Sequence, residues 1–225
     1  GMKTALVAHW PAGIAWEGAS DRLVSVIDLA PTVLSAAGCE IPESVQGVSM
    51  LPLLADSSAT TRQYAFSEHN WHDYEAFGRS VRQGDYLLIY NKRPYLPWQG
   101  PADSVRSVSH QNLRELQRTG KLSPAQADVF LAPRPAVEMF NTVEDPDQLD
   151  NLAGVTEYSG IQKKLSAVLD RWMRETGDSV PKKLSPDTFD RETGDRLKDD
   201  AVDASGALTP GEDRSADQIN AAGPR

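Results

Sequence analysis

The chain has 225 residues, of which 40% are hydrophobic and 24% charged, and a net charge of −9. This composition is typical of a globular protein with one core, or one core and a small satellite. From Asp187 onward there are ten acidic and five basic residues, so more than half of the net charge lies near the C-terminus. The basic residues do not cluster, which excludes a nucleic-acid surface, and no run approaches the roughly 20 apolar residues of a membrane span.

The N-terminal residues 1–56 are expected to form the end of a mixed α/β sheet layer. The apolar run at residues 2–11 lacks polar alternation and predicts a strand covered on both faces, as in a parallel sheet. Such a strand needs neighbours, and Gly1-Met2 leaves open whether the start is natural. Residues 22–27 predict a second short strand, and residues 28–38 predict a helix of about ten residues, capped by Asp28 and closed by Gly38.

Residues 63–180 predict a small antiparallel sheet packed by a C-terminal helix, which makes the fold class α/β, as an α+β fragment. Residues 80–91 predict a hairpin with its turn at Gly84, and residues 137–141 predict another strand. The long insert contains an irregular proline-rich loop at residues 93–104 and helices at residues 110–119 and 123–126. The most regular pattern, at residues 157–176, predicts a helix that packs on the sheet.

Residues 187–225 predict an acidic tail or arm, because they carry few large apolar side chains. The pentapeptide Arg-Glu-Thr-Gly-Asp occurs in this arm at residues 191–195 and also at residues 174–178. A repeat of five residues is too short to indicate a structural repeat.

A cluster of polar and aromatic residues at 67–82 predicts a recognition loop. We expect the side chains that line a substrate cleft to be His69, Asn70, His72, Arg79 and Arg82. Arginine forks bind sulfate and carboxylate groups, and histidines donate hydrogen bonds to sugar hydroxyls. The alternative is that both arginines pair with neighbouring acids at the surface while Trp71 and Tyr74 pack. A zinc site is disfavoured because His69 and His72 lack a third ligand at suitable spacing.

Other candidate residues have simpler interpretations. His9 ends the predicted first strand, where open α/β sheets place ligands, although a satisfied core histidine is the commoner outcome. Asp28 is expected to be a helix cap, and the acidic turn at residues 144–147 a solvated turn. The single cysteine, Cys39, excludes an intrachain disulfide and is expected to be a buried apolar residue.

Five phrases in this order resemble the C-terminal part of the type I sulfatases, which are alkaline-phosphatase-like hydrolases. The phrases lie at residues 8–14, 24–38, 46–49, 80–89 and 138–153, and the first reads Ala-His-Trp-Pro-Ala-Gly-Ile. The long insert is similar to the branch of heparan N-sulfatases and bacterial glycosaminoglycan sulfatases.

The resemblance implies a chain that assists catalysis without carrying the catalytic centre. The family's formylglycine motif, Cys/Ser-x-Pro-x-Arg, and its calcium ligands would lie upstream of Met2, and Cys39 lacks the motif's arginine. We therefore expect no catalytic or metal residue in this chain, with formylglycine and calcium supplied by an N-terminal part. The expected partners are a sulfated sugar and either an N-terminal sulfatase half or a second copy. A full sulfatase would be periplasmic or secreted. The alternative is a freestanding carbohydrate-binding or assembly module.

Overall fold

A computed structural model describes residues 4–98, 100–180, 187–198 and 221–225. These residues form a small α+β fold, in which a C-terminal helix packs on an antiparallel sheet and short helices precede it. The strands are β1 (Ala65–His72), β2 (Tyr74–Gln83), β3 (Tyr86–Asn91) and β4 (Val137–Asn141). The helices are α1 (Leu29–Ala36), α2 (Leu51–Ala55), α3 (Ala102–Arg106), α4 (Val108–Arg118), α5 (Pro124–Ala127) and α6 (Ser159–Glu175).

The four strands follow one another in space in the order β1-β2-β3-β4, and every neighbouring pair is antiparallel. The turn between β2 and β3 contains Gly84 at φ 54°, a conformation that glycine adopts without steric cost. This confirms the predicted hairpin at residues 80–91. Among the described residues, strand β1 pairs only with β2 and therefore forms one edge of the sheet.

One face of the sheet is covered by α6, whose apolar side chains recur at helical spacing. Leu165 and Leu169 are buried against Val81, Leu88 and Met139, which β2, β3 and β4 present on the same face. Each of these side chains is at most 1% exposed. Burying a side chain of this size stabilises a fold by about 1.5–3 kcal/mol, so this layer forms the main core.

The two strands predicted at residues 2–11 and 22–27 are wrong for the described part of the chain. Residues 4–10 form neither helix nor strand, and residues 26–28 form a single 3-10 turn that leads into α1. Val7 and Val26 are 91% and 75% exposed. A strand that is apolar on both faces needs partner strands, and the described residues supply none to this segment.

The predicted helix at residues 28–38 is confirmed as α1, but Asp28 does not cap it with its side chain. The Asp28 carboxylate is fully buried, accepts hydrogen bonds from the backbone amides of Ser25 and Val48 at 2.8 Å, and pairs with the Arg62 guanidinium. Arg62 also donates to the carbonyl of Tyr64 at 3.0 Å. This ion pair joins the turn before α1 to the segment that leads into β1.

Cys39 is exposed in the structure, so the expectation of a buried cysteine is wrong. The cysteine follows Gly38, whose positive φ of 69° turns the chain away from the end of α1. A residue just beyond a helix-ending glycine therefore leaves the packed surface.

Part of the acidic arm packs against the fold. Residues 187–198 form a small turn in which Phe189 bridges Arg196, and Phe189 packs against Tyr74, Ala102 and Val105. Residues 199–220 of the predicted tail lie outside the described residues.

Candidate functional site

The cluster at residues 67–82 lies on the β1–β2 hairpin, so the prediction of a loop is wrong. Cross-strand pairs run from Ala65↔Arg82 to His72↔Tyr74, and the register shifts between His69 and Trp71. Such a shift marks a β-bulge, which re-aims the side chains around it. The backbone groups that a loop would leave to water are therefore used in strand pairing.

The tip of this hairpin is a single residue, Asp73, at a positive φ of 60°. The Asp73 carboxylate accepts a hydrogen bond from the amide of Ala102 at 2.8 Å, and its carbonyl accepts one from Thr188 at 3.1 Å. The Nδ1 atom of His72 lies 3.5 Å from the same carboxylate. These contacts offset the strain of a left-handed aspartate and fix the position of His72 on the tip.

Trp98 lies against Gly78, the cross-strand partner of His69, and was not among the predicted site residues. His69 pairs with Gly78 across the hairpin, so both residues face the same side of the sheet. An added Cβ on Gly78 would lie 3.4 Å from the Trp98 ring, which is itself 36% exposed. The Arg134 guanidinium lies 5.2 Å from the centre of this ring. Trp98 is twenty residues from Gly78 in the sequence, so this contact could be found only once the strand register was known.

His69 and His72 are both exposed, and their electrostatic environments favour a neutral His69. Partial desolvation of the ring lowers the pKa of His69, and the nearby His72 and Arg79 lower it further. A neutral imidazole offers one N–H donor and one acceptor, whereas the protonated ring offers two donors and a positive charge. His69 can therefore change from a neutral ligand of hydroxyl groups to a cationic ligand of anions as the pH falls.

Arg79 is placed in the interior and not on the exposed side of the hairpin. Its side chain is 1% exposed and makes a bidentate pair with Asp178, at 2.8 Å from Nε and 2.7 Å from Nη2. Its Nη1 atom donates to the carbonyl of Gly78 at 2.9 Å. The guanidinium also lies 5.4 Å from the centre of the Phe77 ring. All three nitrogens of this guanidinium are thus engaged within the fold.

The other three predicted residues occupy different surroundings. Asn70 is half-buried, and its Oδ1 atom is buried without a hydrogen-bond partner among the described residues. Arg82 is half-buried and donates from Nε to the carbonyl of Gly84 at 3.1 Å. His9 lies in the exposed segment at residues 4–10, which is not part of the hairpin in the chain. The structure therefore groups His69, Asn70 and His72 at one end of the hairpin, with Arg82 at the other.

The described residues do not fit a resident metal. No cluster of three or more His, Cys, Asp or Glu side chains with a metal-binding arrangement occurs among them. His69 and His72 in particular are joined by no third ligand, and a protein zinc site needs at least three. Within the same residues, no helix combines the length and apolar character that crossing a bilayer would require.

Comparison with known proteins gives a consistent family. Residues 1–97 match the family described as N-sulphoglucosamine sulphohydrolase, C-terminal. An ulvan-active sulfatase of Formosa agariphila is 32% identical over 182 residues, covering 80% of this chain and 30% of the relative. The human N-sulphoglucosamine sulphohydrolase is 24% identical over 189 residues, covering 76% of this chain and 38% of the relative.

A solved structure, BT4656 in complex with its substrate D-glucosamine-2-N,6-O-disulfate, overlaps 65% of this chain and 23% of that chain. Its TM-score is 0.44 and its sequence identity 22%. The chain spans only 30% and 35% of the length of two ulvan-active sulfatases that it matches. The family match and these relatives together confirm the resemblance seen in the five sequence phrases. The chain belongs to the type I sulfatases and corresponds to their C-terminal region.

Proposed function

We propose that the chain is the C-terminal part of a sulfuric-ester or sulfamate hydrolase acting on a sulfated carbohydrate. In this proposal the chain supplies substrate recognition, the catalytic centre lies in another part of the sulfatase, and the chain alone is inactive. The observation that carries the proposal is the grouping of His69 and His72, both exposed, on an edge hairpin. The hairpin belongs to a chain whose relatives are sulfatases.

The chemistry of the hairpin suits a sulfated sugar. Imidazole N–H groups donate to sulfate oxygens and to ring hydroxyls, and they bind anions more strongly when protonated. Trp98, which lies against Gly78, the cross-strand partner of His69, adds an aromatic surface on which the apolar face of a sugar ring can pack.

The N-terminal segment supports an assembly role for the same chain. Several large apolar side chains there are exposed, including Leu6, Val7, Val26, Ile27 and Val33. An exposed apolar surface of this kind marks an interaction site. The run at residues 4–10 has the composition of a strand buried on both faces, so a sheet in the N-terminal sulfatase part is its fitting partner.

The test is a titration of the 225-residue chain with a heparin-derived disaccharide that carries N- and O-sulfate groups. We expect binding that weakens in His69→Ala and His72→Ala but not in Lys121→Ala, a residue of the exposed turn after α4. Each charge-assisted hydrogen bond is worth about 1.5–3 kcal/mol, so each substitution should weaken binding by roughly tenfold or more. Equal affinity in all four proteins would refute the recognition role.

A second candidate is a freestanding carbohydrate-binding or assembly module, which the exposed apolar segment also favours. The two candidates differ in their need for an N-terminal sulfatase part. If the chain alone is monomeric in light scattering and binds the disaccharide tightly in the titration, the freestanding module is favoured. If the chain gains solubility or affinity only when an N-terminal sulfatase part is co-expressed, the C-terminal role is favoured. Turnover of an aryl sulfate by the purified chain would contradict both.

A further inference from the structure

Residues 187–198, here called the clasp, lie against the tip of the β1–β2 hairpin that carries His72. The clasp closes on itself through hydrogen bonds from Asp190 N to the Asp195 carbonyl at 2.8 Å and from Leu197 N to the Thr188 carbonyl at 3.0 Å. The Asp190 carboxylate accepts from the amides of Glu192 and Thr193 at 2.8 and 2.7 Å. The clasp is therefore an ordered turn within an acidic arm.

Arg191 connects the clasp to the start of β2 through its guanidinium group. It makes a bidentate pair with Asp187, at 2.6 Å from Nε and 2.9 Å from Nη2, and it donates from Nη2 to the Glu75 carbonyl at 3.0 Å. Its guanidinium lies 5.2 Å from the centre of the Tyr74 ring. The hydroxyl of Tyr74 in turn donates to the Asp190 carbonyl at 2.9 Å. The clasp thus contacts both Tyr74 and Glu75, the first two residues of β2.

The clasp also reaches the long insert. Arg114 on α4 donates to the carbonyl of Arg191 at 2.9 Å, and Arg106 on α3 pairs with the carbonyl of Gly194. Gly194 has a φ of 75°, and an added Cβ would lie 2.7 Å from the Ala102 carbonyl. The amide of that same Ala102 donates to the Asp73 carboxylate at 2.8 Å. The hairpin tip is therefore fixed between α3 and the clasp.

Both copies of the pentapeptide Arg-Glu-Thr-Gly-Asp contact strand β2, although through different positions: the last residue of the first copy and the first residue of the second. In the first copy, Asp178 follows Gly177 and holds Arg79 in the middle of β2. In the second copy, Arg191 precedes Gly194 and holds Tyr74 and Glu75 at the start of β2. Both copies therefore fasten the same strand, one on the α6 face and one at the tip.

We propose that the clasp positions the recognition hairpin, with Arg191 as the positioning residue, so that a sulfated ligand binds tightly only while the clasp is closed on Tyr74 and Asp73. This inference rests on the proposed function for its ligand. The positioning itself has a readout that does not require any ligand.

The test uses the 225-residue chain and compares Arg191→Ala with Arg118→Ala, which removes an exposed arginine of α4 paired only with Glu115 in the described structure. We expect hydrogen exchange at the amides of residues 71–76 to rise about tenfold in Arg191→Ala, while the amides of residues 86–89 keep their protection. The control should change neither group. Unchanged exchange at residues 71–76 would overturn the proposal.

A second pair of variants guards against a nonspecific loss of folding. Gly194→Ala introduces the close contact with Ala102, whereas Gly120→Ala changes a glycine with φ of 65° and open space around its Cβ position. We expect the first variant alone to reproduce the change in exchange at the hairpin tip. The same result in both variants would point to backbone strain and would overturn the assignment of the clasp.

Binding of the sulfated disaccharide then separates positioning from mere stability. We expect Arg191→Ala to weaken binding about tenfold in the wild-type background and much less in a His69→Ala, His72→Ala background, because the residue acts through the hairpin. Arg191→Lys keeps the charge but loses the bidentate fork, so it should restore only part of the affinity. Additive losses in the two backgrounds would overturn the positioning role. If the wild-type chain binds no sulfated ligand, the proposed function fails, and the exchange data still decide whether the clasp holds the hairpin.

Discussion

The buried pair of Arg79 with Asp178 gives a sharp test of how the hairpin is built. Arg79→Met removes the guanidinium but keeps much of its volume, and it leaves the Asp178 carboxylate without its partner. The two side chains are 1% and 7% exposed, so solvent cannot replace the lost interaction. Breaking a buried ion pair by removing one member typically costs about 3–5 kcal/mol. For a chain of this length, that loss corresponds to a fall in melting temperature of roughly 6–20 °C.

The assay is urea unfolding followed by circular dichroism, with Arg82→Met as the matched control. Arg82 lies three residues further along the same strand, is half-buried and donates one hydrogen bond to the Gly84 carbonyl, so its loss should cost about 0.5–1.5 kcal/mol. In Arg79→Met combined with Asp178→Leu, no charge is left unpaired, and much of the lost stability should return. A cost below about 1 kcal/mol for Arg79→Met would refute the structural role and favour direct contact with a ligand.

Three further predictions concern the site and the core. Binding of the sulfated disaccharide should strengthen when His69 becomes protonated, and the lowered pKa of His69 places that protonation below pH 6.5. His69→Gln should flatten this pH profile in calorimetry. The same lowered pKa means that the folded chain binds fewer protons than the unfolded chain, so stability contributed by His69 is lost as the pH falls through the folded-state value. Leu169→Ala should cost about 2–5 kcal/mol in urea unfolding through the cavity left under β2, and a loss below 1 kcal/mol would contradict the core assignment. Gly78→Val should displace the Trp98 ring and weaken disaccharide binding several-fold with a smaller effect on unfolding, whereas unchanged affinity would remove Trp98 from the site.

The helices of the second region were predictable because their patterns are local. Leu165 and Leu169 recur at the spacing of one helix face, and the Ser123 side chain caps α5 by accepting a hydrogen bond from the amide of Gln126. Gly84 indicated the turn between β2 and β3, which is also a local signal. The antiparallel sheet packed by α6 could therefore be derived from sequence alone.

The hairpin and the N-terminal strands required information that no local pattern contains. Strand β1 is rich in polar residues because it forms an edge, so it lacks the apolar alternation that identifies a half-buried strand. The segment at residues 4–10 has the apolar composition of a buried strand but finds no neighbour among the described residues. Arg79 and Arg82 looked equivalent in the sequence. They lie on opposite faces of β2, so Arg79 is buried and Arg82 remains half-buried at the surface.

The position of β1 at the edge of the sheet has a consequence for solubility. An unpaired strand edge is a template on which another chain can add a strand, and proteins protect such edges with charged residues and bulges. Glu68 is exposed on β1, and the register shift between His69 and Trp71 interrupts the regular edge. The polar side chains proposed to bind a sugar thus also keep copies of the chain apart. Substitutions that make β1 more apolar would be expected to cause aggregation before any loss of ligand affinity could be measured.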